Sequence, residues 1–261
     1  VLEELKKRTE FRKELTDYVE VLRQRSDPAM IEEFSKLRNI SIEAVKDAGI
    51  FYIEDMRKMM IPSYLDKLEL FGVISPNNNK PIYHERWVIP IKDVDGLVQG
   101  LVGYSNKADE RYVYATTQYY MRGDTLWGLE RLEKAYELGY GILLEGITDA
   151  IHVRSIGYVP VFANCGTRPS DINMGELNRC RFGIIRVHDR DAAGYKTRKH
   201  WVTNRYCTLV TPIMYKDSDE TLRESEDNVV WFKQYMDACI NWIKEKEHKG
   251  QICDTVTACM L

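Results

Sequence analysis

The chain lacks any apolar run approaching the ~20 residues that a membrane-spanning helix needs, and no secretory signal pattern stands at its start. A cytoplasmic protein without a membrane partner is therefore expected. It also lacks a CxxC pair. The six cysteines, at 165, 180, 207, 239, 253 and 259, stand singly, which argues against a zinc site and leaves reduced core thiols as the expected state. No GxxxxGK[ST] loop is present, so a motor built on that loop is excluded. A disorder signature is absent too: with 44% hydrophobic and 30% charged residues, 261 residues suffice for two subdomains with cores of their own. Excess positive charge is likewise missing, the net charge being −3. That balance argues at first against a nucleic-acid binder, but the sum hides a separation, because acids cluster in particular stretches and basic residues gather elsewhere.

The acids follow short apolar runs. Gly141 to Leu144 ends on Glu145-Gly146, Ile184 to Val187 precedes Asp189-Arg190-Asp191, and Thr208 to Ile213 precedes Asp217-Ser218-Asp219. Runs this short and this rich in Ile, Leu and Val predict buried parallel strands separated by helices. In an open parallel sheet ligands bind at the C-terminal ends of the strands, where these carboxylates stand. Two unit charges about 4 Å apart repel by roughly 4 kcal/mol at an effective dielectric near 20, so such acids raise one another's pKa values unless a cation lies among them. Hard oxygen ligands suit Mg²⁺ or Mn²⁺, and such a site does phosphoryl or nucleotidyl transfer. Asp149 opens a helix predicted over Thr148 to Gly157, and either caps it or takes a direct part in the site. Gly146 and Gly166 either admit a phosphate close to the backbone or serve as turns. Period-two alternation sends Asp189 and Asp191 one way and Arg190 the other, while an inward-turned guanidinium would meet substrate phosphate. His188 reads as a hydrogen-bonding residue and not as a ligand.

The motifs LLEGITDA (143 to 150), CGT (165 to 167), DRDAAG (189 to 194) and DSD (217 to 219) resemble, in this order, those of a Toprim domain. Upstream, ERWVIPIKDVDGLVQGLVGY (85 to 104), RYVY (111 to 114) and MRGDTLWGLERLEKA (121 to 135) resemble the segment that precedes Toprim in DnaG-type primases. The likeness runs from about Ile40 to Leu222. It implies an α/β fold: a Toprim-type parallel sheet flanked by helices, with an N-terminal α+β subdomain and a C-terminal helical segment. It implies Glu145, Asp189 and Asp191 as catalytic residues, Glu145 as general base or metal ligand, and Glu145, Asp189, Asp191, Asp217 and Asp219 around Mg²⁺ or Mn²⁺. Gly146, Asp149 and Arg190 would support them. The chain departs from the family at Tyr104, where an arginine is usual, at Tyr114-Ala115-Thr116, where Asn-Ser-Pro is usual, and at Arg190, where glycine is common.

Residues 1 to 72 read as helical. Leu2, Leu5, Leu15, Tyr18, Val19 and Leu22 make a helical stripe, Ser26-Asp27-Pro28 restarts the pattern at Ala29, and Ser41 is a predicted N-cap. A small sheet over 82 to 115 follows: Trp87 to Ile91 and Leu97 to Tyr104 joined by the hairpin signal Asp93-Val94-Asp95-Gly96, then Arg111 to Tyr114. Arg86, Arg111 and Arg122 lie in segments that the resemblance places along a nucleic-acid groove. Arginine grips phosphate bidentately, although any single one also reads as surface charge. Lys196 and Arg198 extend the basic set on a helix opened by Ala192. Among Tyr112, Tyr114, Tyr119 and Tyr120, one or two would stack bases and the others pack. Trp127 to Leu138 reads as an amphipathic helix. Asp227 to Lys246 reads as another, with Val230, Tyr235, Cys239, Trp242 and Ile243 in the core, and the tail from Gly250 carries no signal.

The expected organisation is 1–139 as the N-terminal subdomain, 140–222 as the catalytic core and 223–261 as the helical segment. The resemblance implies metal-dependent synthesis of short RNA primers from ribonucleoside triphosphates on single-stranded DNA. Its partners would be a replicative helicase and a zinc-binding module, upstream or in trans, since the chain itself has no zinc site. A Toprim nuclease, or a weakly catalytic single-strand-binding module that recruits a helicase, are the alternative readings.

Overall fold

The structure is a computed structural model and describes residues 2–55, 57, 60–115, 117–121, 123, 125–166, 171–192, 205–210, 215–248 and 253–257, with side chains left out at 171, 205–210, 246–248 and 253–257. The chain forms two compact units, Val1–Arg122 and Gly123–Leu261.

In the first unit, helix α1 (Leu2–Arg25) buries Phe11, Leu15, Tyr18, Val19 and Leu22, an i, i+4, i+7 stripe. Leu2 and Leu5, expected in that stripe, are exposed. Asp27 accepts a hydrogen bond from the Ala29 amide and starts α2 (Pro28–Arg38), and Ser41 accepts one from the Ala44 amide to start α3 (Ile42–Asp47). The expected helical run does not continue to 72. Phe51–Ile53 is strand β1, too short for periodicity to reveal, and it pairs antiparallel with β2 (Arg86–Lys92). Next come β3 (Val98–Tyr104) and β4 (Tyr112–Tyr114), all antiparallel in the order β1-β2-β3-β4. The Asp-Gly hairpin is as expected: Gly96 has φ +79°, and Asp93 Oδ1 accepts from the Asp95 and Leu97 amides while Oδ2 takes the Arg12 guanidinium at 2.8 Å. At Gly100 a Cβ would lie 2.6 Å from the Tyr120 ring, so that tyrosine is core packing.

In the second unit a six-stranded sheet has the order β10-β9-β8-β6-β7-β5. Its parallel strands are β6 (Tyr140–Leu144), β7 (Val161–Asn164), β8 (Gly183–His188), β9 (Arg205–Val210) and β10 (Cys253–Thr257); β5 (Leu126–Trp127) pairs antiparallel with β7. The three apolar runs read as strands correspond to β6, β8 and β9, the last displaced toward the N-terminus. Strand β10 lies in the tail that carried no signal. Residues 127–138 are not one helix: β5 is followed by a 3-10 turn, Leu129–Arg131, and then α4 (Leu132–Leu138). The break falls at Gly128, with φ +98°, where a Cβ would lie 2.5 Å from the Val161 carbonyl and 2.7 Å from the Arg154 guanidinium.

Helix α5 (Ile147–Ser155) packs on β7, α6 is Asp171–Leu177, and α7 (Ser218–Glu224) leads into α8 (Glu226–His248). Phe232, Tyr235, Met236, Cys239, Ile240 and Ile243 of α8 are buried, but Val230 is 55% exposed and Trp242 half-buried, because the buried stripe begins at Phe232, two residues later than expected. Strands β6 and β8 are buried throughout. Cys165, Cys180 and Cys239 are buried and stand outside disulfides. No helix among the described residues is long and apolar enough to cross a membrane.

Candidate catalytic carboxylate site

Strands β6 and β8 are parallel neighbours, with Leu143 opposite Arg186, so Leu144 and His188 end on one sheet edge. Glu145 leaves the first strand there, and Asp189 and Asp191 leave the second. The Arg190 amide donates to the Lys216 carbonyl at 2.6 Å, which ties the exit of β8 to the segment before α7 and carries Asp217 and Asp219 to the same edge. Gly146 starts α5 with Asp149 three residues on, and a Cβ on Gly146 would collide with the Asp149 carboxylate. Glycine is thus needed at 146 to let Asp149 fold back over the helix start.

The electrostatics record the crowding. The Asp189 carboxyl is pushed up to about 7, first by burial and then by the charges of Glu145, Asp217 and Asp191, with Lys216 opposing. Burial also raises Asp149 well above the usual carboxylate range, helped by Asp217, Asp189 and Asp219 and opposed by the hydrogen bond from the Asp219 amide. Acids that lie apart in the sequence are therefore close enough to repel. Even so, no three His, Cys, Asp or Glu side chains among the described residues are gathered tightly enough to hold an ion. Several are held by other partners. Glu145 Oε1 lies 3.2 Å from His188 Nδ1, and Asp191 lies 3.6 Å from Lys216 Nζ. Asp217 caps α7 by accepting from the Glu220 amide at 2.8 Å. Asp219 is 3% exposed and accepts from His152 Nδ1 at 3.2 Å and Arg223 Nε at 3.0 Å. The donor set is nonetheless all carboxylate oxygen under mutual repulsion, which is the chemistry that suits a hard divalent cation.

The expected basic residues are distributed differently. In the first unit Arg86 Nη1 donates to the carbonyls of Glu110 and Arg111, at 2.9 and 3.3 Å. It lines a cavity of about 260 Å³ with Tyr52, His84, Trp87 and Lys107. Arg111 is exposed. Arg122, Lys196 and Arg198 lie outside the described residues, as does Thr167 of the CGT motif. Tyr119 packs on Phe11 with ring centroids 5.1 Å apart, and Tyr112 packs on Tyr104 at 5.1 Å. Tyr104, where the resembled family has an arginine, is buried, with the Arg38 guanidinium 4.6 Å above its ring. His152, Lys216 and Arg223 were missed by sequence reasoning. Arg223, one helical turn after Asp219, carried a legible signal, whereas His152 meets Asp219 only through the fold.

No protein-family model matches the chain. The DNA primase of Aquifex aeolicus (strain VF5) is 31% identical over 138 residues, 51% of this chain and 28% of that protein. The DNA primase of Rickettsia bellii (strain RML369-C) is 26% identical over 177 residues, 61% of this chain and 28% of that protein. The match thus spans under a third of the length of these curated relatives. Among solved structures, the Aquifex aeolicus primase comprising zinc-binding and RNA polymerase domains is similar with a TM-score of 0.74 and 24% identity, over 90% of this chain and 61% of that one. A DnaG primase catalytic domain bound to single-stranded DNA is similar with a TM-score of 0.72 and 20% identity, over 88% and 79% of the two chains. The E. coli primase catalytic core has a TM-score of 0.70 and 20% identity, over the same shares. The chain is a sequence relative of the bacterial DNA primases and has the fold of their DnaG-type catalytic core.

Proposed function

We propose that this chain is the RNA-polymerase domain of a DnaG-type primase, joining ribonucleoside triphosphates into short primers on a single-stranded DNA template. The observation that carries this reading is the convergence on one sheet edge of Glu145, Asp149, Asp189, Asp191 and Asp217, marked by the raised pKa of Asp189. In this reading Asp189, Asp191 and Asp217, with Glu145, hold Mg²⁺ or Mn²⁺. A bound ion of that kind supplies charge stabilisation to a triphosphate and its leaving oxygen. Glu145, steadied by His188, accepts a proton from the attacking hydroxyl. Catalysis of this kind rests mostly on positioning and preorganised charge, which suits acids mounted on the ends of buried strands. Arg86 and Arg111, with Arg122, Lys196 and Arg198, guide the template or triphosphate through bidentate or point-charge contacts. A solved relative in fold holds single-stranded DNA, which supports the template, and another carries a zinc-binding domain beside the polymerase domain, which supports such a module as a partner. A replicative helicase is the further partner proposed.

The test is primer synthesis on single-stranded DNA with Mg²⁺ or Mn²⁺. Wild type should extend and the Asp189→Ala, Asp191→Ala double variant should not; equal product from both would refute the assignment.

A further inference from the structure

Asp219 stands in the acidic motif that closes the site, yet its surroundings differ from those of an open ligand. It is 3% exposed. Oδ1 faces His152 Nδ1 at 3.2 Å and Oδ2 faces Arg223 Nε at 3.0 Å, so both oxygens already have donors. Its own amide donates to Asp149 Oδ1 at 2.8 Å. His152 is itself 2% exposed and lies on α5, the helix that carries Asp149 near its start. The imidazole therefore connects the body of α5 to the start of α7, and the Asp219 amide closes the loop back to Asp149. Asp217, two residues earlier, has one oxygen engaged at the cap of α7, and its placement depends on where α7 begins.

We propose that His152 is a positioning residue of the carboxylate site. By holding Asp219 from Nδ1 it fixes the start of α7 against α5, and Asp219 serves as part of this frame and not as an ion ligand. This inference rests on the reading of the edge as a divalent-cation site, and it narrows the ligand set to Glu145, Asp189, Asp191 and Asp217. Outer partners of this kind are worth about 10- to 100-fold in metal affinity when removed.

The bond leaves from Nδ1, and that makes the idea testable by amide replacement. The side-chain amide nitrogen of Asn can take the place of Nδ1, while that of Gln falls nearer Nε2. His152→Asn should keep Mn²⁺ affinity, read by electron paramagnetic resonance or calorimetry without nucleotide, within about twofold of wild type, and His152→Gln should weaken it about 10- to 100-fold. Hydrogen exchange of the Asp219 amide, measured without metal, should follow the same order. Asp219→Asn should retain Mn²⁺ binding far better than Asp189→Asn. Three results would overturn the proposal: equal behaviour of the Asn and Gln variants at 152, unchanged exchange in the Gln variant, or loss of Mn²⁺ in Asp219→Asn as complete as in Asp189→Asn. Should the Gln variant fail to fold, Arg223→Gln, at a side chain 35% exposed, replaces it; unaltered Asp219 exchange and Mn²⁺ affinity there would also sink the frame. The exchange measurement needs neither ion nor nucleotide. A protein that makes no primer while its Asp219 amide behaves as described would thus defeat the polymerase reading and leave the positioning role intact.

Discussion

Replacing Asp189 with Asn should make the metal-free protein more stable at pH 8 while removing its activity. The folded carboxyl titrates near 7 against an ordinary value of 3.8, just over three units, and each unit is worth about 1.36 kcal/mol. The full shift corresponds to about 4 kcal/mol, but Asp189 keeps a face toward solvent, and screening reduces the usable part to about 1–2 kcal/mol. The folded value lies above the unfolded one, so folding takes up a proton between pH 4 and 7. Stability from this group is complete below about pH 4 and is lost as pH rises through 7. The Asn variant has no such charge to repel, and at roughly 2–4 °C per kcal/mol for a protein of this size it should melt about 2–8 °C above wild type at pH 8 in EDTA. The gap should narrow toward pH 5. Saturating Mg²⁺ should raise the wild-type midpoint more than that of the variant, because the wild type has the greater repulsion to relieve. Circular dichroism melts at both pH values provide the check. A variant that melts at or below wild type at pH 8, or a gap independent of pH, would refute the crowded-carboxylate argument.

The other predictions concern packing around the two units. Gly146→Ala, whose Cβ meets the Asp149 carboxylate, should destabilise the protein by about 1–3 kcal/mol and blunt its thermal response to Mg²⁺. Gly100→Ala, pressed against the Tyr120 ring, should cost a similar amount, and adding Tyr120→Leu should recover part of it if the two sites couple as neighbours do; denaturant melts of the four proteins give the coupling. Arg154→Met breaks the 2.9 Å pair with Glu130 and the 2.9 Å bond to the Val161 carbonyl, and removes the guanidinium from 4.0 Å above the Trp127 ring. Glu130 keeps Arg131 at 3.9 Å, so loss of the closer charged hydrogen bond should cost about 1.5–3 kcal/mol, visible as a lower unfolding midpoint followed by tryptophan fluorescence.

The carboxylate edge was legible because short runs rich in Ile, Leu and Val precede each group of acids, directly at Glu145 and within a few residues at Asp189 and Asp217, a pattern that survives without knowledge of the neighbours. The hairpin around Gly96 was legible for a similar reason, since turn chemistry is local. Strands β1 and β5, three and two residues long, are too short to show a period, and they exist because a partner strand supplies their hydrogen bonds. The helix expected from Trp127 fails at Gly128, where the obstacle is the Val161 carbonyl from a distant strand. Exposure of Val230 follows from where α8 meets the sheet, which periodicity alone does not locate. The histidine contacts were hidden for the same physical reason: His152 and Asp219 are 67 residues apart, and no spacing rule joins them.

The distribution of donors around the edge leaves Asp189 as the acid with the least support. Glu145 has His188, Asp191 has Lys216, Asp217 has the amide of Glu220, and Asp219 has His152 and Arg223. Asp149 receives the Asp219 amide. Asp189 accepts no hydrogen bond from any described residue, and only the charge of Lys216 offsets burial and three acidic neighbours. A carboxylate in that position is destabilised in the apo protein and gains most from a cation, since a nearby positive charge reverses the sign of its largest charge interactions. Neighbours that are already hydrogen-bonded lose part of that benefit, because ligation would draw them away from existing donors. The order of sensitivity in Mn²⁺ binding should therefore run from Asp189 as the most damaging Asp→Asn replacement to Asp219 as the least, with Asp191 and Asp217 between them.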